Sequence, residues 1–157
     1  MNTHEIKQIL HQREPYLMVS EVINLEPRKI TTRKIHEGDE AHIKGHFPDL
    51  PVVPGAMLQE VATQSAGILI SKFYSPIENY SSTSNLGLAL GVLSRVDKAK
   101  FLSPVSPFDD IVADVELLEH LENRFLFKST IMQDDKVCAK IMFRLINVPE
   151  QSLRKQN

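Results

Sequence analysis

The longest run of apolar positions in the sequence follows a proline-rich segment. Apolar side chains recur from Met57 to Phe73 with a helical period and around most of the helix circumference. Pro54 fits the first position of a helix, where the missing backbone N–H is no loss, and no further proline follows until Pro76. The pattern therefore predicts a helix over residues 54–73, about 30 Å long, that other structure must surround.

The remaining pattern predicts one short helix and about six strands. Ile6, Ile9 and Leu10 have helical spacing, with Thr3 as a candidate N-cap. Segments rich in β-branched, aromatic and other apolar residues predict strands at 16–25, 28–37, 86–101, 109–119, 124–133 and 137–147. A turn at residues 133–136 joins the last two. This pattern predicts an α+β fold in which a curved antiparallel sheet wraps around the long helix.

Three further segments have distinct compositions. Leu86–Leu93 is continuously apolar, which predicts a strand that is not half-exposed. The polar segment Tyr74–Asn85 precedes it and is either an ordinary exposed loop or a lid over a nearby site. The polar C-terminal segment, residues 149–157, is expected to fray, and residues 1–148 are expected to form a single domain.

Length and composition restrict the class of protein. A chain of 157 residues with 42% hydrophobic content can build one core, and a net charge of −2 argues against a nucleic-acid partner. The single cysteine, Cys138, excludes an internal disulfide and suits a reducing, cytoplasmic compartment. Because Cys138 lies in a predicted strand, we expect it to be buried and not nucleophilic. The sequence shows neither a signal-peptide pattern nor an apolar run of membrane length, so no membrane partner is expected.

Two side chains suited to proton transfer, His46 and Glu60, flank the start of the long helix. Imidazole and carboxylate are the groups best suited to moving protons near neutral pH. Each also has a structural interpretation. His46 could hydrogen-bond the backbone of its own loop, and Glu60 could belong to a narrow solvated stripe with Gln59, Thr63 and Gln64. A carboxylate in an apolar helix is costly, however, unless it is used or satisfied.

The segment from Gly45 to Gln64 resembles the signature of the β-hydroxyacyl-acyl-carrier-protein dehydratases, a family with the hot-dog fold. The matching residues are Gly45-His46-Phe47-Pro48-x-x-Pro51-Val52-Val53-Pro54-Gly55, followed by Glu60-x-x-x-Gln64. Two flanking segments, Arg13–Val19 and Val96–Pro107, also resemble this family. The similarity extends over residues 5–147, and the central motif is the specific part of it.

The resemblance implies that a 3-hydroxyacyl thioester on an acyl carrier protein is dehydrated to the trans-2-enoyl thioester without a cofactor. The pathway would be fatty-acid biosynthesis or a specialised lipid or polyketide route. His46 would remove the C2 proton, and Glu60 would protonate the leaving C3 hydroxyl. The backbone N–H of Gly55 would accept the charge that develops on the thioester carbonyl. Gln64 and Phe47 would support these groups.

The resemblance also implies a homodimer with a continuous sheet, with further assembly into hexamers as an option. Each active site would then take His46 from one subunit and Glu60 from the other. Because carrier proteins are usually acidic, cations in or beside the motifs are candidates for carrier docking. These cations are Lys44, Arg95, Lys98 and Lys100. The alternative is a scattered, solvated surface.

The sequence departs from the family pattern at several positions, including His42, Gln59 and Arg95. Because the proton-transfer residues are retained, we keep the reaction class and expect an acyl tunnel shaped for an unusual chain. A metal site at His42 and His46 is disfavoured, since no cysteine or second carboxylate has ligand spacing. The remaining histidines have the pattern of ordinary polar positions; they are His4, His11, His36 and His120.

Two other functions remain open. A hot-dog thioesterase would hydrolyse the thioester with a carboxylate and a water, and it would not need His46 opposite the helical acid. A non-catalytic subunit that binds an acyl carrier protein or a lipid would need neither proton-transfer residue.

Overall fold

The computed structural model describes residues 1–83 and 88–149. Within these residues the elements are α1 (Thr3–Ile9), β1 (Glu21–Glu26), β2 (Lys29–Lys34), α2 (Ala41–Lys44), α3 (Gly55–Phe73), β3 (Leu88–Phe101), β4 (Ile111–Leu121), β5 (Arg124–Gln133) and β6 (Lys136–Pro149). No helix in these two ranges combines the length and the apolar character needed to cross a membrane. The predicted tail lies almost wholly outside the described residues, and the single-domain boundary at residue 148 stays a prediction.

The six strands form one antiparallel sheet in the order β1-β2-β4-β5-β6-β3. Helix α3 packs against five of these strands, from β2 to β6. The predicted α+β class, with a curved antiparallel sheet around one long helix, is confirmed. Strands β1 and β3 are the two edges of the sheet.

Helix α3 is buried over most of its length because its surface is apolar or small. Gly91 in β3 lies so close to the helix that an added Cβ would be 3.2 Å from the Cα of Gly67. The polar positions are buried as well: Thr63 is 6% exposed and Gln64 is 1% exposed. The solvated stripe considered for Glu60 is therefore wrong at Thr63 and Gln64, whose polar atoms need partners inside the protein, whereas Gln59 and Glu60 are partly exposed.

Alternation along the strands builds the other half of the core. In β4, Ile111, Ala113 and Val115 are buried, and the residues between them are partly exposed, as expected for a strand with one face on a core. The β5–β6 hairpin turns at Asp134 and Asp135, whose φ angles of 49° and 60° fit a two-residue turn with two left-handed positions. The predicted turn at residues 133–136 is confirmed.

The N-terminal elements differ from the prediction. The cap of α1 is Asn2 and not Thr3; the Asn2 side chain accepts the Glu5 N–H, and the Glu5 carboxylate accepts the Asn2 N–H. The strand predicted from residue 16 begins at Glu21. The reason is that the Met18 N–H is bound by a helix side chain and not by a neighbouring strand. Helix α2 was not predicted, since one turn is too short to show a period.

Strand β3 also differs from the prediction. The apolar segment Leu86–Leu93 was expected not to be half-exposed, but Leu93 is 40% exposed, because β3 is an edge strand. Residues 86 and 87 lie outside the described ranges. The polar segment before it contacts α1 through Ser82. The Ser82 N–H and hydroxyl donate to the carbonyls of Gln8 and Lys7. Residues 84 and 85 of that loop lie outside the described ranges.

Candidate active site

The loop between α2 and α3 holds His46 by main-chain hydrogen bonds. The His46 N–H donates to the Ile43 carbonyl at 2.8 Å, and the Val52 N–H donates to the His46 carbonyl at 2.9 Å. Between these bonds, Phe47 and Leu50 exchange backbone bonds of 3.3 and 3.1 Å. The prolines of this segment restrict the backbone further. The histidine is therefore well fixed although most of its loop is exposed.

The imidazole of His46 has a defined orientation. Its Nδ1 lies 3.0 Å from the Val52 carbonyl oxygen, and a carbonyl can only accept a hydrogen bond, so Nδ1 carries the proton. In the neutral ring, Nε2 then has a free lone pair, which a general base requires. The ring also stacks on Phe47, with 4.3 Å between the ring centroids, which fits the supporting role expected of Phe47.

His46 and Gly55 line the same cavity, which has a volume of about 410 Å³. Gly55 is the first residue of α3, and no side chain caps this end of the helix, so its first N–H groups lack the usual capping partner. A Cβ at Gly55 would lie 3.1 Å from the Phe101 ring, which explains the absence of a side chain. A base and a candidate oxyanion donor therefore face one space with a largely apolar wall.

Gln64 holds Glu60 from one helical turn away. Its Nε2 donates to Glu60 Oε1 at 2.9 Å and to the Tyr16 carbonyl at 2.7 Å. Its Oε1 accepts the Met18 N–H at 2.7 Å. Because the backbone N–H fixes which end of the amide is oxygen, the amide nitrogen must face Glu60. The predicted supporting role of Gln64 agrees with this geometry.

Glu60 lies in an environment that favours its neutral form. Burial raises the pKa of the Glu60 carboxyl, and hydrogen bonds from Gln64 and Tyr16 act in the opposite direction without cancelling the rise. A carboxyl that keeps its proton to higher pH is suited to act as a general acid. Burial, followed by the charge of Glu60, also raises the pKa of the Tyr16 phenol. The sequence motif around Tyr16 was recognised, but its contact with Glu60 was not.

Within one chain, His46 and Glu60 face different spaces. An α-helix turns about 100° per residue, so Glu60 points about 200° away from Leu58 around α3. Leu58 lines the His46 cavity, which places Glu60 on the far side of the helix. Among the described residues, the cavity wall includes Gly55 and Leu58 from α3 but not Glu60. In one chain, the two candidate proton-transfer groups therefore lie on different sides of α3.

The four candidate docking cations do not form one cluster. Lys44 lies 3.8 Å from an Asp39 oxygen, on the helix before the His46 loop. Arg95 is paired with Asp97 at 2.7 Å, and Asp97 also binds Arg144 at 2.8 Å. Lys98 and Lys100 line a groove on the other face of the sheet from the helix. Only these last two lie together.

The segment before the His46 loop contains a polar cluster that the sequence did not predict. The prediction of an ordinary polar position for His36 is wrong, since its side chain is 1% exposed and its Nδ1 lies 3.4 Å from Glu40 Oε1. Glu40 also binds Lys34 at 3.3 Å and accepts the N–H groups of Glu37 and Gly38. Although burial acts to raise it, hydrogen bonds from the backbone N–H groups of Glu40 itself and of Glu37, together with Lys34, lower the pKa of Glu40 to about 2. The cluster anchors α2, and through it the His46 loop.

Burial also affects the histidines of this segment. It lowers the pKa of His36, which Glu40 partly opposes, and it lowers the pKa of His42. Within the two described ranges, no group of three or more His, Cys, Asp or Glu side chains is arranged to hold a metal. Cys138 is buried, as predicted.

Comparison with known proteins places the chain in a family. A family model described as ApeI-like, ApeI dehydratase, matches residues 23–141. The 3-hydroxyacyl-[acyl-carrier-protein] dehydratase FabZ of Petrotoga mobilis is 33% identical over 140 residues, or 89% of this chain and 93% of that protein. The protein of the same name from Vibrio atlanticus is 38% identical over 120 residues, or 76% of this chain and 75% of that protein.

Solved structures show the same fold at lower identity. The dehydratase heterocomplex ApeI:P from Xenorhabdus doucetiae has a TM-score of 0.73 at 16% identity, covering 94% of this chain and 93% of that chain. The PaaI protein of the E. coli phenylacetic acid degradation operon has a TM-score of 0.59 at 13% identity, covering 80% and 81%. These structures support the fold alone. On the family match and the FabZ relatives, the chain belongs to the ApeI-like dehydratases, as its central motif predicted.

Proposed function

We propose that this protein reversibly dehydrates a 3-hydroxyacyl thioester, carried on an acyl carrier protein, to the trans-2-enoyl thioester. The observation that carries the proposal is the position of His46, whose Nδ1 is held by the Val52 carbonyl and which lines a cavity shared with the uncapped start of α3. In the neutral ring this hydrogen bond leaves the lone pair on Nε2. A base and an oxyanion donor in one apolar space are what proton abstraction beside a thioester carbonyl requires. The FabZ relatives are named for this reaction on this carrier.

The roles follow from the chemistry of elimination. His46 Nε2 takes the proton from C2, and the Gly55 N–H stabilises the charge that develops on the thioester oxygen. The electron pair of the C2–H bond forms the C2–C3 double bond. The C3–O bond breaks, and the hydroxyl leaves as water with the proton that Glu60 provides. The thioester bond stays intact, and the two protons balance without a further reactant.

We propose that the complete site forms between two copies of the chain. The support is that Glu60 lies on the side of α3 away from the His46 cavity, so one copy has only half of the proton-transfer machinery. Strand β3 is an edge strand with exposed apolar residues, including Leu93 and Val96, and unpaired edges of this kind favour pairing with another strand. Light scattering distinguishes a dimer from a trimer of dimers.

The carrier and the compartment belong to the same proposal. A carrier-bound substrate agrees with the names of the relatives, and a cytoplasmic location agrees with a single buried cysteine. The pathway, in fatty-acid or specialised lipid biosynthesis, depends on the acyl chain accepted.

Product analysis tests the reaction. The protein is incubated with a 3-hydroxyacyl pantetheine thioester, and the products are separated by liquid chromatography with mass detection. We expect the trans-2-enoyl thioester with the thioester intact. In deuterated water, the reverse hydration should place one deuterium at C2, because the proton returned there comes from His46. The His46→Gln variant is the control.

The same assay separates the alternatives. Rapid release of free thiol without any enoyl product would support the thioesterase and contradict this proposal. Binding of the thioester with no turnover in either direction would support a non-catalytic subunit. If the wild-type dimer binds substrate but turns over only after a related chain is added, the second half-site comes from that chain and not from another copy.

A further inference from the structure

The last residue of β5, Gln133, is a buried amide to which the proposed mechanism gives no role. Its Oε1 accepts the Ser106 N–H at 2.8 Å, and its Nε2 donates to the carbonyls of Ser106 and Asp109, each at 3.0 Å. Because one partner is an N–H and the other two are carbonyls, the orientation of the amide is fixed. All three bonds hold the loop between β3 and β4, residues 102–110.

The β3–β4 loop forms one wall of the His46 cavity. Ser103, Pro104 and Val105 line that cavity together with His46. Val105 also joins this loop to the His46 loop, since its carbonyl accepts the Val53 N–H at 3.0 Å. Both valines are buried, so the bond between the two loops is shielded from solvent.

Two peptide units connect the amide of β5 to the imidazole. The first contains the Ser106 N–H and the Val105 carbonyl. The second contains the Val53 N–H and the Val52 carbonyl. In a trans peptide unit the carbonyl and the N–H lie in one plane and point in opposite directions. A hydrogen-bond chain therefore runs from the glutamine Oε1 through both units to the second carbonyl, whose oxygen lies 3.0 Å from His46 Nδ1.

The hydrogen-bond chain acts on the acceptor at its end. Peptide units that are bonded in series polarise one another, and they do so more strongly in a low dielectric than in water. The Val52 carbonyl is thereby fixed in direction and becomes a better acceptor, since the N–H of its own unit is bound. Such an acceptor favours the neutral ring form of His46 with the proton on Nδ1 and the lone pair on Nε2.

We propose that Gln133 is a positioning residue for the dehydration: through the hydrogen-bond chain it holds the Val52 carbonyl that selects the basic tautomer of His46. This inference rests on the proposed function, which makes His46 the base. It adds a residue that lies 87 positions away from the histidine in sequence and touches neither the imidazole nor the catalytic motif.

The alternative role of Gln133 is to anchor the β3–β4 loop and nothing more. The start of this loop is held by β6, where the Cys138 carbonyl accepts the Leu102 N–H at 2.7 Å, and Gln133 holds its second half. Loss of an anchor alone would lower stability without changing the tautomer of His46. A measurement on the imidazole itself therefore separates the two roles.

The decisive variant is Gln133→Met, since the thioether has a similar size but is only a weak acceptor and cannot donate. In protein labelled with 15N at histidine, the ring nitrogens of His46 report the tautomer at a pH high enough for a neutral ring, and His46→Gln identifies their signals. We expect the Nδ1–H form in the wild type and a mixture with the Nε2–H form in the variant. With the 3-hydroxyacyl pantetheine thioester, kcat should fall on the order of ten-fold while KM changes little.

Asn147→Leu is the matched control. Asn147 is another buried amide, and its Oδ1 accepts the Gly91 N–H at 2.9 Å. It lies on β6, outside the lining of the His46 cavity as far as the structure describes it. We expect both variants to lose Tm, because each leaves a backbone N–H without its partner. Only Gln133→Met should change the tautomer and kcat.

A titration of the wild type tests the hydrogen-bond chain without any substitution. Protonation of the His46 ring strengthens the donor at Nδ1, and polarisation should carry this change along the chain to the N–H groups of Val53 and Ser106. We expect their amide proton resonances to shift with the same midpoint as the ring signals of His46. The Gly91 N–H, bound by the other buried amide, should not follow that midpoint.

Each outcome decides the question. An unchanged tautomer in folded Gln133→Met would leave only the anchoring role and overturn the proposal, as would an equal change in Asn147→Leu. If Gln133→Met does not fold, the titration decides, and a Ser106 resonance that ignores the protonation of His46 refutes the chain. If the tautomer and the shifts are as expected but the wild type dehydrates no thioester, the proposed function fails while the link between Gln133 and His46 stands.

Discussion

The two proposed proton-transfer groups of this protein are held in opposite ways. His46 stands on an exposed loop, and its position depends on backbone bonds and on the carbonyl of Val52. Glu60 stands on a buried helix, and it is held by two side chains, Gln64 and Tyr16. The first environment leaves the lone pair of the neutral His46 ring on Nε2, and the second partly buries the carboxyl of Glu60.

The difference suits the two roles proposed for these residues, a base and an acid. A backbone carbonyl at Nδ1 fixes which nitrogen carries the proton and leaves the other one free. A desolvated carboxyl has its pKa raised and retains a proton to give. We therefore expect the position of His46 to tolerate changes of neighbouring side chains, because main-chain groups hold it, whereas the position of Glu60 depends on the side chains of Gln64 and Tyr16.

Removal of either group has the largest expected effect. His46→Ala deletes the base, and Glu60→Gln replaces the acid with a group of the same shape that cannot donate a carboxyl proton. Each should lower kcat on the order of 10²-fold or more, since both groups act in one elimination. Circular dichroism and gel filtration check that the variants fold and assemble. A folded variant with a nearly normal rate would remove that residue from the mechanism.

Mixing the two inactive variants tests whether the halves come from different chains. A hybrid dimer has one site with both natural residues and one site with neither. After unfolding and refolding an equal mixture, half of the dimers are hybrids, so about a quarter of the wild-type activity should return for a symmetric dimer. Each variant refolded alone is the control. No recovery in dimers shown by mass spectrometry to be hybrids would place both groups in one chain.

A substitution of Gln64 should disturb the position of Glu60 on α3 and leave the position of His46 on its loop unchanged. Gln64→Leu leaves the Met18 N–H and the Tyr16 carbonyl without their partner, which costs about 1–3 kcal/mol of unfolding free energy for each buried group. It also frees Glu60, so kcat should fall more than KM rises. Val52→Ala is the comparison on the loop side, since the carbonyl that binds His46 remains. Urea unfolding measures the free energy of unfolding of both variants, and steady-state kinetics measures their kcat. Equal losses of stability and of kcat in the two variants would contradict the prediction.

Glu60 on α3 and His36 before the loop should affect the pH dependence of stability with opposite signs. Because the pKa of Glu60 is raised, the folded protein retains a proton that the unfolded chain has lost, so this group reduces stability as the pH rises above 4.5. Glu60→Gln should therefore gain Tm relative to the wild type as the pH is raised from that value. A Tm difference that does not change with pH would show that Glu60 titrates normally.

The histidine cluster before the loop should behave in the reverse way. Burial lowers the pKa of His36 below 6.5, so the unfolded chain binds a proton more readily, and stability is lost as the pH falls through 6.5. His36→Gln should reduce this loss, and His4→Gln is the control, because His4 is exposed. A Tm that falls equally on acidification in both variants would mean that His36 does not contribute.

Local sequence was sufficient for much of the fold and for the identity of the chemical groups. Helix α3 was predicted within one residue, because apolar residues at a helical period and a proline before the first turn specify a helix without outside help. The β5–β6 turn followed from its polar residues. The motif around His46 and Glu60 indicated the reaction class, which the family match confirmed.

The tertiary structure alone decided what depends on contacts between distant residues. Gln64 lies on a helix face that sequence cannot distinguish from a solvated stripe, and only its bonds to Tyr16 and Met18 show that it is buried. Lys98 and Lys128 are neighbours only through the register of three strands. The separation of His46 from Glu60 within one chain depends on which face of α3 packs toward the His46 loop. Periodicity records the local conformation of the backbone, but burial and proximity depend on which distant segments pack together, and no local pattern carries that information.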